Sequence, residues 1–134
     1  MIDFGTATTF NCVNGRGEFI GGAIAPGIVT SVEALINRAA RLSRVELVRP
    51  KEAIGRNTTS NLQSGAIYGY AGLVEGLVER MQAELGGGAK VVATGGNAGL
   101  LADVARCIER VDENLRLDGL RMLYEEAHPT SPGR

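Results

Sequence analysis

The sequence predicts an α/β fold: three antiparallel strands plus two further strands, flanked by helices. Three observations carry this. Asn14-Gly15-Arg16-Gly17 separates two extended segments, the pattern of a β-hairpin. Tyr70, Leu73, Val74, Leu77, Val78, Met81 and Leu85 recur at helical spacing within residues 60–85, which marks a long amphipathic helix. Finally, Lys90 to Thr94 is a buried-type strand that runs into Gly95-Gly96 and a helix start.

The chain opens on Met1-Ile2-Asp3-Phe4-Gly5-Thr6-Ala7-Thr8, where an apolar run reaches a carboxylate, a glycine and a hydroxyl-rich turn. Two readings of that turn stand open. One is an ordinary hairpin with a polar tip. The other is a phosphate cradle: Gly5 admits close backbone approach, and the N–H groups and hydroxyls of Thr6 and Thr8 point inward. In that case Asp3, at the strand end, meets a cation travelling with the phosphate. Only two residues precede Asp3, fewer than the roughly five of an ordinary strand, so the chain is expected to be part of something larger.

Thr8 to Val13 reads as the second strand and Glu18 to Ala25 as its return, stopped by Pro26-Gly27. A helix then carries Ile28, Val32, Leu35, Ile36 and Ala39, with Thr30 or Ser31 as its cap. Leu42 to Pro50 is a connector whose Val45 and Leu47 suggest an edge strand. Ile54 to Asn61 is a polar loop entering the long helix, with Thr58, Thr59 and Ser60 as candidate caps. Gly65, Gly69, Gly72 and Gly76 line one face of that helix. Each exposed helical glycine costs roughly 1 kcal/mol against alanine, so another element or another subunit is expected against this face. Gly86-Gly87-Gly88 ends the helix. A helix over Asn97–Ala105, a strand over Cys107–Val111 and a last helix over Leu117–Ala127 complete one domain, residues 1–127. A flexible tail is expected over 128–134.

Composition narrows the function. A net charge of −1 offers no basic face for nucleic acid, and aromatic content of 4% leaves few platforms for stacked bases. No run reaches the roughly 18–20 apolar residues of a membrane span, and Glu75, Glu79 and Arg80 interrupt the glycine-lined helix. Neither nucleic acid nor membrane is expected as a partner. Cys12 and Cys107 lie far apart without metal spacing and read as buried thiols of a reducing compartment, which points to the cytoplasm.

Taken together, "DFGTATTF" at 3–10, "GGAIAPG" at 21–27, "IGRNT" at 54–58, "QSGAIYGYAGLVEGLVER" at 63–80 and "VVATGG" at 91–96 resemble type III pantothenate kinase, and "LDGLRMLYE" at 117–125 extends the likeness. The resemblance implies a ribonuclease H-like, actin-type ATPase lobe, as in actin, sugar kinases and acetate kinase. It also implies transfer of the γ-phosphoryl of ATP to pantothenate, the first step of coenzyme A synthesis, with Mg²⁺ and a monovalent cation, K⁺ or NH₄⁺. The partner it implies is a second copy of the chain or a first kinase lobe. Position by position, it makes Asp3 the monovalent-cation ligand and Gly5, Thr6, Ala7 and Thr8 the ATP phosphate turn. Thr58 becomes a pantothenate contact, and Gly95 and Gly96 lie on the adenosine side.

The family's D-x-G-N-T turn and the loop bearing its catalytic aspartate do not occur in the sequence, so no catalytic residue is assigned to this chain. Glu33, Glu46, Glu52, Glu75 and Glu79 read as solvated surface, and His128 as part of the tail. The chain is therefore expected to be the second lobe of a two-lobed kinase, inactive alone. Two alternatives remain: a non-catalytic accessory module that binds a nucleotide or partner, and a self-associating domain that uses the glycine-lined helix.

Overall fold

A computed structural model describes residues 1–39 and 41–129. Five strands form one mixed sheet in the order β3-β2-β1-β4-β5. β1 (Ile2–Phe4), β2 (Ala7–Val13) and β3 (Phe19–Pro26) make the expected antiparallel meander, while β4 (Val92–Thr94) and β5 (Arg110–Val111) add in parallel on the other side of β1. The β2–β3 hairpin is drawn tight by Asn14, whose Oδ1 accepts from the amides of Arg16 at 2.9 Å and Glu18 at 3.0 Å.

Register places Ile2 opposite Phe10 and Ala93, on the face that carries the core. Against these pack Ile28 and Val32 of α1 (Ile28–Arg38), Ile67, Ala71 and Val74 of α2 (Thr58–Glu84), and Leu101 of α3 (Ala98–Ala102). The opposite face is open at the meander, where Ile24 is 80% exposed. α4 (Leu115–Ala127) closes the order of elements, and none of its residues is buried.

Several expectations are corrected. Thr30 and Ser31 do not cap α1: Gly27 occupies the cap position, and both hydroxyls turn to tertiary partners instead. No strand forms over 42–50. Side chains of α2 take its carbonyls, Gln63 Nε2 donating to Glu46 O at 2.8 Å and Tyr68 Oη to Pro50 O at 2.8 Å. α2 begins two residues early, because Asn57 is its cap: Oδ1 accepts from Ser60 N at 2.9 Å, and Ser60 Oγ answers the Asn57 amide at 3.2 Å. α3 stops at Ala102, β5 shrinks to Arg110–Val111, and α4 begins at Leu115.

The four-glycine face behaves differently from the rest of α2. A β-carbon at Gly65, Gly69 or Gly72 would meet nothing within 4 Å, so among the described residues no element packs there. Cys12 and Cys107 are free and half-buried. His128 stacks on Tyr124 with ring centroids 4.3 Å apart, and the rest of the expected tail, from residue 130, lies outside the described residues.

Candidate functional site

The β1–β2 turn sits where the sheet changes from antiparallel to parallel pairing, with β4 beside it. Its shape is imposed from three directions. Within the turn, Gly5 N donates to Ala7 O at 3.0 Å. From the α1 side, Gly27 N donates to Thr6 O at 2.9 Å and Thr30 Oγ1 donates to the same carbonyl at 2.8 Å. From the β4 side, Asn97 N donates to Phe4 O at 3.1 Å.

Two glycines let these neighbours approach. A β-carbon at Gly27 would overlap the carbonyl oxygens of Gly5 and Thr6. Gly95 has φ +93° and presses on Asp3 and the Phe4 carbonyl, so both its conformation and its space suit glycine. Behind α1, Tyr70 Oη reaches the carbonyls of Pro26 at 3.0 Å and Gly27 at 3.1 Å and also bonds the Ser31 hydroxyl. The turn is thus braced from the core outward and stays open at its tip, where Thr6 is exposed. Among the described residues the Thr6 amide has no protein acceptor, so it is available to an anion.

Asp3, Gly5, Thr6, Ala7, Gly95 and Gly96 are therefore brought to one end of the sheet. Gly96 faces open space, with nothing within 4 Å of a β-carbon there. Thr8 is placed differently. It is fully buried on the helix-covered face opposite Phe4, and its hydroxyl has no partner, so its side chain does not reach the tip of the turn. Thr58 is not part of this cluster either. It is the exposed first residue of α2, twelve positions and about 18 Å of helix before Tyr70. Asn57 does the capping, and the Thr58 hydroxyl has no hydrogen-bond partner among the described residues.

Asp3 has two unlike oxygens. Oδ2 pairs with Arg116 Nη1 of α4 at 3.5 Å, whereas Oδ1 is buried without a hydrogen-bond partner. The Thr94 hydroxyl, opposite Asp3 in the β1–β4 register, is also buried and unpartnered. Two orphaned oxygens, one on the Asp3 carboxylate and one on the Thr94 hydroxyl beside it, suit a cation that prefers oxygen ligands. Among the described residues, no three His, Cys, Asp or Glu side chains gather as a metal site.

Sequence reasoning missed Thr30, Tyr70, Thr94, Asn97 and Arg116. Thr94 and Asn97 flank the glycine pair and were legible as its neighbours. By local signals Thr30 reads as a cap, and Tyr70 as part of an apolar stripe. Arg116 carried no signal, being one arginine at the start of an exposed helix.

A family model described as type III pantothenate kinase matches residues 1–80. The type III pantothenate kinase of Moorella thermoacetica is 58% identical over 125 residues, covering 93% of this chain and 49% of its own length. That of Roseiflexus castenholzii is 59% identical with the same coverage, and that of Myxococcus xanthus is 54% identical over 96% of this chain and 50% of its own. The chain spans about half the length of the curated relatives it matches. A solved structure, described as a conserved putative Baf family transcriptional activator from Campylobacter jejuni, aligns at TM-score 0.65 and 23% identity over 94% of this chain and 56% of that one. This last likeness speaks for the fold alone. With 80 of 134 residues under the family model and identities above half in the curated relatives, the chain belongs to the type III pantothenate kinase family.

Proposed function

We propose that this chain supplies the second, actin-type ATPase lobe of an enzyme that phosphorylates pantothenate from ATP, the first step of coenzyme A synthesis. The observation that carries the reading is the braced β1–β2 turn with its open Thr6 amide and hydroxyl, in a chain of this family. Phosphoryl transfer depends on positioning and charge neutralisation, and a rigid turn of donors provides both without reorganising during reaction.

In this reading Thr6 and the turn backbone hold phosphate oxygens. Gly95 and Gly96 let the nucleoside lie against the backbone, and Thr58 contacts pantothenate with a hydroxyl that capping leaves free. Asp3, with Thr94 behind it, takes a monovalent cation of the K⁺ type, which offsets phosphate charge beside the turn. Mg²⁺ belongs to the nucleotide, and no residue of this chain is assigned to it. No proton-transfer group is assigned here either, and turnover requires the half of the family's length that this chain does not span. The uncovered glycine face of α2 is the surface through which two copies associate, and the working compartment is the cytoplasm.

The test is a coupled assay of ADP release with ATP, pantothenate and KCl. This chain alone is expected to show no turnover, and addition of a first lobe from a close relative is expected to restore it. Turnover by the chain alone overturns the division of labour. Nucleotide binding without turnover in the reconstituted pair favours an accessory binding module instead.

A further inference from the structure

We propose that Arg116 is a built-in competitor for the cation site at Asp3, so that filling the site releases the start of α4. This rests on the reading of Asp3 as a cation ligand and adds a consequence to it.

The asymmetry of the Asp3 carboxylate is the first observation. Its inner oxygen is buried and unpartnered, while its outer oxygen is held by a guanidinium that is 62% exposed. At 3.5 Å this contact is longer than the roughly 2.7–2.9 Å of a tight charge-assisted hydrogen bond, so it is an exchangeable ion pair. A cation entering at the inner oxygen neutralises the charge that retains Arg116, and two cations at one carboxylate repel each other. Asp3 is the only carboxylate within ion-pair reach of Arg116 among the described residues. Two neighbouring acids are engaged elsewhere, Asp112 with Arg110 at 2.8 Å and Asp118 with Arg121 at 3.7 Å.

The second observation is how little else holds α4. None of its residues is buried, and Leu117, Leu120 and Leu123 are each more than 60% exposed. Its root is fixed just before it starts, where Asp112 N donates to Ala93 O at 2.8 Å and Asp112 Oδ1 accepts from Asn114 N at 3.2 Å. Arg116 lies just beyond that root and straps the helix to the sheet at Asp3. Loss of the strap leaves a helix free to pivot at Asp112–Asn114.

The experiment compares wild type, Arg116→Gln, Arg116→Lys and Asp3→Asn in KCl and in choline chloride at equal ionic strength. Amide hydrogen exchange is followed over residues 112–127, and K⁺ affinity is taken from KCl titrations of thermal denaturation. Potassium is expected to speed exchange of α4 severalfold in wild type. Arg116→Gln should exchange fast in both salts and bind K⁺ roughly two- to fivefold more tightly, the range expected for removing one solvent-exposed ion pair. Arg116→Lys should return towards wild type, and Asp3→Asn should lose the potassium response. Equal K⁺ affinity in wild type and Arg116→Gln with unmoved α4 exchange overturns the competition and leaves the Asp3 site standing. Absence of K⁺ binding in both overturns the Asp3 site, and the competition falls with it.

Discussion

Gly95 stands so close to Asp3 that a β-carbon at residue 95 would overlap Asp3 Oδ1 and come within 2.7 Å of the Phe4 carbonyl oxygen. Gly95→Ala therefore has to move β1 or strain a backbone held at φ +93°. A loss of about 1–3 kcal/mol in stability is expected, from overpacking and left-handed strain together. Urea denaturation measures it, and a variant as stable as wild type would contradict the packing.

Thr6 is exposed, and its side chain has no hydrogen-bond partner among the described residues. Thr6→Val should leave stability within about 0.5 kcal/mol of wild type. In the reconstituted enzyme, nucleotide binding should weaken roughly 10- to 150-fold, the equivalent of about 1.5–3 kcal/mol for a hydrogen bond to a charged group. Calorimetric titration with ATP reads this directly. Unchanged affinity would assign the turn to structure alone.

Asn57 and Thr58 are adjacent, yet their substitutions should separate cleanly. Asn57→Ala removes the capping box of α2 and should cost about 1 kcal/mol of stability. Thr58→Ala should leave the melting curve in place and raise KM for pantothenate in the reconstituted enzyme. Thermal denaturation and steady-state kinetics on the two variants form the test. A destabilised Thr58→Ala with unchanged KM would return the hydroxyl to a capping role.

Burial, and after it the nearby Glu75 carboxylate, push the Cys107 thiol above the ordinary cysteine range. Alkylation requires the thiolate, so Cys107 should react slowly near neutral pH and accelerate only in alkaline buffer. The shift also has a sign for stability. As pH rises, the unfolded chain loses this proton first, so the folded state weakens between the unfolded and folded titration ranges. Mass spectrometry of alkylated protein across pH checks the first effect, and denaturation midpoints check the second.

Much of this architecture was legible because its signals are local. The Asn14-Gly15 turn, the glycine stop after α2 and the strand before Gly95-Gly96 each declare themselves within a few residues, and the structure keeps all three. What was not legible depends on partners far away in the chain. Val45 and Leu47 alternate like a strand, but α2 side chains reach the carbonyls of Glu46 and Pro50 first. Thr30 looked like a cap because nothing local reveals that Thr6 O lies 2.8 Å away, across 24 residues of sequence. Asn57 is masked by three neighbouring hydroxyls, although Asn57 and Ser60 form a readable capping box. The site divides in the same way: the turn and the Gly95-Gly96 pair announce themselves, whereas the Arg116 strap exists only in three dimensions.

The parallel pairing of β1 with β4 also has a kinetic consequence. Ile2 meets Ala93 only after 90 intervening residues have been gathered in, whereas the β1–β2–β3 meander closes through short turns. Loop-closure entropy puts such non-local pairings late in folding. Until β4 pairs with β1, the turn lacks the brace that Asn97 N supplies at Phe4 O. The braces on the β1–β2 turn that come from β4 are thus expected to form among the last contacts of the fold.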